Sequence, residues 1–173
     1  MNLYLREVSL DDGTRELEYL RNLPVDENGF CNPAVSEDLV NDESFKKWLI
    51  KKVNEAKGIN LKQGYVPQTL YWVMHNDDIV GIGKLRHYLN GNLLVNGGHI
   101  GLGISSNHRH SGVGTKALKL LLDKARELGV EDVLLTNYED NIASRRIVEK
   151  CGGVLEGIND GLCKYWIKVN KQL

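Results

Sequence analysis

Between residues 112 and 128, apolar side chains fall at Val113, Ala117, Leu118, Leu121, Leu122, Ala125 and Leu128. Steps of three and four place them on one face of an amphipathic helix, which Gly129 closes. Upstream the period is two. Residues 2–8 alternate as a first strand, and residues 70–75 and 79–88 flank Asn76-Asp77-Asp78, a hairpin turn. A polar turn over 90–98 leads into a strand at 99–104. Two helices are expected before these strands. Ser9 and Asp12 signal the start of one that runs to about Leu20. The other covers 37–56, with Leu39, Val40, Trp48, Leu49 and Val53 as its stripe and Gly58 as its stop. The intervening 22–35, with two prolines and a glycine, reads as a functional loop.

After the 112–128 helix come a buried-type strand at 132–136 and a helix at 141–150 ended by Gly152-Gly153. Two last strands, 154–158 and 162–169, are joined by Asn159-Asp160-Gly161. The strands on either side of the 112–128 helix are expected to be parallel, and the hairpins make the remainder antiparallel. The class is therefore α/β (α+β), one domain over residues 1–173, with no internal repeat.

The apolar share of 42% and charged share of 26% suit a globular chain, and the formal net charge of -1 provides no field for nucleic acid. No apolar run approaches the roughly 18 residues a membrane span needs. Cys31, Cys151 and Cys163 form neither a disulfide framework nor a CxxC metal site. Together these features predict a cytoplasmic protein with no nucleic-acid or membrane partner and no metal. His108-x-His110 lacks the third ligand that a metal site needs.

The stretch from Ile104 to Thr115, ISSNHRHSGVGT, joins a predicted strand to the long helix. A helix N-terminus offers unpaired N–H groups and partial positive charge, and glycines let a ligand approach the backbone. Arg109 adds a cation. A phosphorylated cofactor fits such a place. Gly112-x-Gly114-x-x-Ala117 formally matches a dinucleotide fingerprint. However, Glu131 and Asp132 stand before the next strand, whereas the fingerprint needs an acid at its end. No P-loop string is present.

Arg109-x-x-Gly112-x-Gly114, followed by Asn141-Ile142-Ala143-Ser144 at the head of the next helix, resembles the acetyl-CoA motifs of the GNAT N-acetyltransferase superfamily. The resemblance is strongest over 97–157, and it implies a central mixed, mostly antiparallel sheet splayed around acetyl-CoA. On that basis the backbone of Arg109, His110, Ser111, Gly112, Val113, Gly114 and Thr115 holds the pyrophosphate. The backbone of Ile104 and Ser105 meets the thioester and pantetheine arm, and Asn141 and Ser144 flank that arm. Asn141 also suits a plain helix cap.

The implied activity is transfer of the acetyl group to an amine of a small molecule or peptide by direct attack, possible homodimers being a family expectation. A non-catalytic acyl-CoA sensor with the same fold is the alternative. A primary amine of pKa 10.4 is less than about 0.1% neutral at pH 7, so a base or a desolvating site helps. His99, at the head of the strand, is the candidate base; Glu139 and Asp140 are further candidates. The Ile104 N–H is the expected oxyanion donor. Many members carry an acidic tyrosine seven residues after the motif asparagine, where this chain has Val148. Tyr138 is the substitute candidate for the proton donor, with Cys151 or water behind it. Acceptor selection is assigned to 22–35, the second helix and 58–68.

Overall fold

A computed structural model describes residues 2–24, 26–27 and 30–169. Val25, Asn28 and Gly29 of the expected functional loop, and the chain ends, lie outside the described residues. The described part of that loop holds a two-stranded hairpin, β2 (Asp26–Glu27) and β3 (Phe30–Cys31), and a one-turn helix α2 (Pro33–Ser36) capped by Asn32.

Four strands, β1 (Leu3–Glu7), β4 (Gln68–His75), β5 (Asp78–Arg86) and β6 (Ile100–Ile104), form an antiparallel sheet in the order β1-β4-β5-β6. Helices α1 (Thr14–Arg21) and α3 (Asp42–Ala56) cover one face, packing Leu17, Leu20, Phe45, Trp48 and Leu49 on Trp72, Met74 and Ile82. The other face receives α5 (Val113–Glu127), whose Val113 and Ala117 meet Leu3, Val73 and Val80. The same helix continues onto a second antiparallel sheet of β7 (Asp132–Tyr138), β9 (Leu162–Lys168) and β8 (Val154–Asn159), in the order β7-β9-β8. There Leu118, Leu121 and Leu122 share one core with Val133, Leu135, Tyr165 and Ile167. Truncating one of these leucines to alanine costs about 2–5 kcal/mol. Helix α6 (Ile142–Lys150) closes that side through Val148.

Two helix starts differ from expectation. The Ser9–Asp12 pair forms a turn instead of a cap: Asp12 accepts the Ser9 N–H at 3.0 Å, the Trp72 Nε1–H at 2.8 Å and the Arg6 guanidinium. Helix α1 begins at Thr14, where Glu16 accepts the Gly13 N–H at 2.9 Å. Helix α3 begins only at Asp42, because Asn41 caps it by accepting the Ser44 N–H at 2.9 Å. Leu39 is buried from the preceding loop, and Val40 is exposed. The polar turn at 90–98 contains a short helix, α4 (Gly91–Val95).

Strands β6 and β7, expected to be parallel, belong to separate sheets. The sheets meet at one seam. The His99 N–H donates to Leu134 O at 2.8 Å, and the Leu134 N–H donates to His99 Nδ1 at 3.0 Å. Gly98 passes this seam at φ +57, where a Cβ would lie 2.4 Å from Leu134 O, so only glycine fits. Beyond the seam the two strands part.

Candidate active site

The gap between β6 and β7 has two backbone edges. On β6, bonds from Arg86 N–H to His99 O (2.8 Å) and from Ser105 N–H to Val80 O (3.0 Å) bracket the ladder with β5. Antiparallel alternation then turns the N–H and C=O groups of Ile100, Leu102 and Ile104 away from β5, toward the gap. On β7, bonds from Val169 N–H to Glu131 O and from Glu139 N–H to Gly161 O, both 2.8 Å, bracket the ladder with β9. Leu134, Thr136 and Tyr138 therefore direct their backbone groups into the gap. The Leu134 groups make the seam, and the Tyr138 carbonyl accepts the Asn141 N–H at 3.0 Å. A splayed pair of half-used edges suits a ligand arm that carries amides of its own.

At the end of β6 a single turn of 3-10 helix, Ser106–His108, brings the chain round to α5. His110 (φ +59) and Gly112 (φ +84) both lie in the left-handed region, and the N-cap Gly112 makes no side-chain cap bond. Among the described residues nothing accepts from the N–H groups of His110, Ser111, Gly112, Val113, Gly114 or Thr115. Around Gly112 a Cβ would meet nothing within 4 Å, so the backbone is open to a close-lying ligand. Six uncommitted donors at a helix N-terminus fit a pyrophosphate. Gly114 has a different reason: its Cβ would stand 2.7 Å from Ile147 Cδ1, so it lets α6 approach α5.

Several expected contacts change in detail. The Arg109 N–H is taken by Ser106 O at 3.2 Å, and its Nε–H donates to Ile104 O at 2.9 Å. At Ser105 the N–H goes to Val80 and the carbonyl accepts the His108 N–H at 2.9 Å. The Ser105 N–H is therefore committed to β5, and its carbonyl keeps a second lone pair. The Ser105 Oγ pairs with the Tyr19 hydroxyl at 2.7 Å. Tyr19 stands edge-on to Trp72, and burial pushes its pKa up to about 12, so it stays protonated. Asn141 caps α6 by accepting the Ser144 N–H at 3.2 Å, and Ser144 Oγ accepts the Asn137 Nδ2–H at 2.6 Å. The buried Asn137 Oδ1 has no partner among the described residues.

His99 is 6% exposed, and burial together with the Arg86 charge lowers its pKa to about 4. Its Nδ1 already accepts a hydrogen bond, so the neutral ring carries its proton on Nε2. A ring in that state has no lone pair for an ammonium proton, which does not suit the base expected from the sequence. Tyr138 is 46% exposed and lines an open cleft of about 610 Å3 with Glu139, Asp140, Asp160 and Gly161. Val148, where many relatives carry the acid, is 2% exposed within the core under α5.

An acetyltransferase (GNAT) domain model matches residues 2–154. The chain belongs to the GNAT acetyltransferase family. GNAT enzymes of this kind move an acetyl group from acetyl-CoA to an amine, and this chain is an acetyl-CoA-dependent N-acetyltransferase. Solved GNAT structures share its fold. The N-acetyltransferase PseH of Campylobacter jejuni, in complex with acetyl coenzyme A, is 12% identical with a TM-score of 0.65, covering 98% of this chain and 100% of that one. A GNAT acetyltransferase from Streptococcus pneumoniae is 18% identical with a TM-score of 0.64, covering 97% and 100%. The putative acetyltransferase yncA of Salmonella typhimurium, with acetyl-CoA, is 14% identical with a TM-score of 0.60, covering 100% and 97%. None of the curated proteins matches the sequence. Tyr19, Leu102 and Asn137 escaped the sequence analysis, because no motif marks them and their partners are distant in the chain.

Proposed function

We propose that the pyrophosphate of acetyl-CoA is held by the N–H groups of His110 to Thr115, and its amide-bearing arm by the β6–β7 gap. The observation that carries this is the adjacency of an uncapped α5 N-terminus and an unladdered gap. Bound there, acetyl-CoA supplies an activated acetyl group as a thioester. The outward N–H groups of Leu102 and Ile104 are the donors available to an acyl oxygen. Asn141, Ser144 and Asn137, whose Oδ1 lacks a partner, flank the arm from α6 and β7.

The amine enters from the α1/α3 side, where Gly101 and Gly103 leave β6 without side chains. Tyr138 is the proton donor for the leaving thiolate, in place of the core residue Val148. Glu139 and Asp140 at the same cleft accept the proton of the ammonium, with water as carrier. His99 holds the seam as a neutral ring. The acceptor is a small-molecule or peptide amine. The free thiols of Cys151 and Cys163 suit a cytoplasmic location. A homodimer would cover the exposed edge strand β8.

Calorimetric titration with acetyl-CoA, CoA and NAD tests the placement, followed by an acetyl-transfer assay on a panel of primary amines. Micromolar binding of both CoA species with no response to NAD is expected. Well-folded protein that ignores CoA would remove the proposal.

A further inference from the structure

A second cleft, of about 280 Å3, opens beside the connection between α3 and β4, lined by Tyr65, Gln68, Lys84, Arg86 and Leu93. Gln68 and Arg86 are register partners across the β4–β5 ladder, and Lys84 lies two residues from Arg86 on the same face. Arg86 is half-buried. Its Nη1–H groups donate to Gly97 O at 3.0 Å and Gly98 O at 2.9 Å, which braces the turn before His99. Its Nε–H and Nη2–H have no partner among the described residues, and no carboxylate among them pairs with it. Burial lowers the guanidinium pKa, opposed only by the Tyr65 phenol. Glu55, the acid that Gln68 holds, accepts from Gln68 Nε2–H at 2.9 Å and pairs with Lys52 at 3.1 Å. A half-buried cation without a counter-ion is unfavourable, and a cleft that exposes it invites an anion.

The cleft adjoins β5, whose neighbour β6 edges the gap, and the Lys84 side chain reaches over β6. Lys84 is the register partner of Gly101, and a Cβ on Gly101 would touch Lys84 Cε at 3.5 Å. Gly103 lies two residues further along β6, opposite Ile82. Across the sheet the Lys84–Arg86 row lies one to two strand spacings, about 5–10 Å, from the outward edge of β6; along β6, Leu102 and Ile104 lie about 3 and 10 Å beyond Gly101, the partner of Lys84.

We propose that this cleft is the acceptor's anion subsite: the preferred substrates are short amines that carry a carboxylate or a phosphate at the far end. The inference rests on the placement of the acetyl group at the β6–β7 gap. Two matched pairs test it, 6-aminohexanoate against 6-aminohexanamide and O-phosphoethanolamine against ethanolamine. The anionic member of at least one pair is expected to have a kcat/KM about tenfold higher or more, mainly through KM. The pair that shows the preference identifies carboxylate or phosphate as the group recognised. Lys84→Met, and separately Arg86→Gln, should bring that ratio to within about twofold of unity. Lys84→Met leaves the Gly97–Gly98 brace in place, so it separates recognition from folding. Equal turnover within both pairs, or a preference that survives both substitutions, overturns the proposal. If calorimetry finds no acetyl-CoA binding, the proposed function fails instead. The subsite is then read directly by titrating N-acetyl-6-aminohexanoate against its amide, and equal binding of the two overturns it.

Discussion

His99 shows how one contact decides what a residue can do. In water an imidazole titrates near 6.5, whereas here burial and Arg86 hold it near 4. The folded state therefore binds fewer protons than the unfolded chain between those values. The stability this ring contributes is complete above pH 6.5 and is lost as pH falls toward 4. Between pH 7 and pH 5 the loss is at most about 2 kcal/mol. Denaturant unfolding at the two pH values should show it, and His99→Gln should remove most of the difference. An unchanged pH dependence in the variant would mean that His99 is not buried neutral. Tyr138 stands at the opposite extreme, half-exposed and free of core packing. Tyr138→Phe should lower kcat by about a hundredfold, if general acid catalysis has its usual worth, with the dissociation constant for acetyl-CoA unchanged. A kcat within twofold of wild type would assign the proton to water.

Among the elements, α5 was legible in the sequence because its seven apolar positions keep the helical period and glycines bound both ends. The run of N–H groups without acceptors at its N-terminus was legible as well, since it lies in consecutive residues. Helix α3 was misjudged at its start because Leu39 and Val40 extend the apolar pattern, while the Asn41 cap breaks the helix there. The Ser9–Asp12 signal failed for a related reason: Arg6 and Trp72 claim the Asp12 carboxylate. Tyr19 meets Ser105 across 86 residues, and Leu134 meets His99 across 35; no local pattern encodes either pairing. The α5 N-terminus makes its own prediction. Gly112 sits at φ +84 with open space beyond its Cβ, so Gly112→Glu costs about 1–2 kcal/mol of backbone strain without a clash. On the proposed placement the added carboxylate faces the pyrophosphate, and affinity for CoA should fall by about a hundredfold or more. Circular dichroism and calorimetry on the same sample check both parts, and retained affinity in folded protein would move the cofactor elsewhere.

At the scale of the whole molecule, two features remain open to partners. Strand β8 is an edge strand, with Val154 70% exposed and Leu155 and Ile158 also outside. Edge strands of this kind pair readily with another chain. Light scattering should find a dimer that Val154→Glu converts to monomer, and a monomeric wild type would leave that edge unpaired.

The second feature is the gap itself. The two sheets touch at the His99–Leu134 seam, beside which the Gly97 N–H donates to Thr136 Oγ1 at 3.0 Å, and the leucines of α5 pack on both. A ligand that binds the folded gap and not the unfolded chain stabilises by mass action, about 2.7 kcal/mol at a hundred times its dissociation constant. For a chain of this size that raises Tm by roughly 5–10 °C. The shift alone does not say where the ligand sits, but amide exchange does. With acetyl-CoA bound, exchange should slow at Leu102, Ile104 and Thr136 and across His110 to Thr115, where donors now lack partners. The Leu134 amide, already bonded to His99, should slow only as far as global stability rises. Uniform slowing across the chain, with no excess at the two edges, would mean that the splayed strands do not hold the cofactor arm.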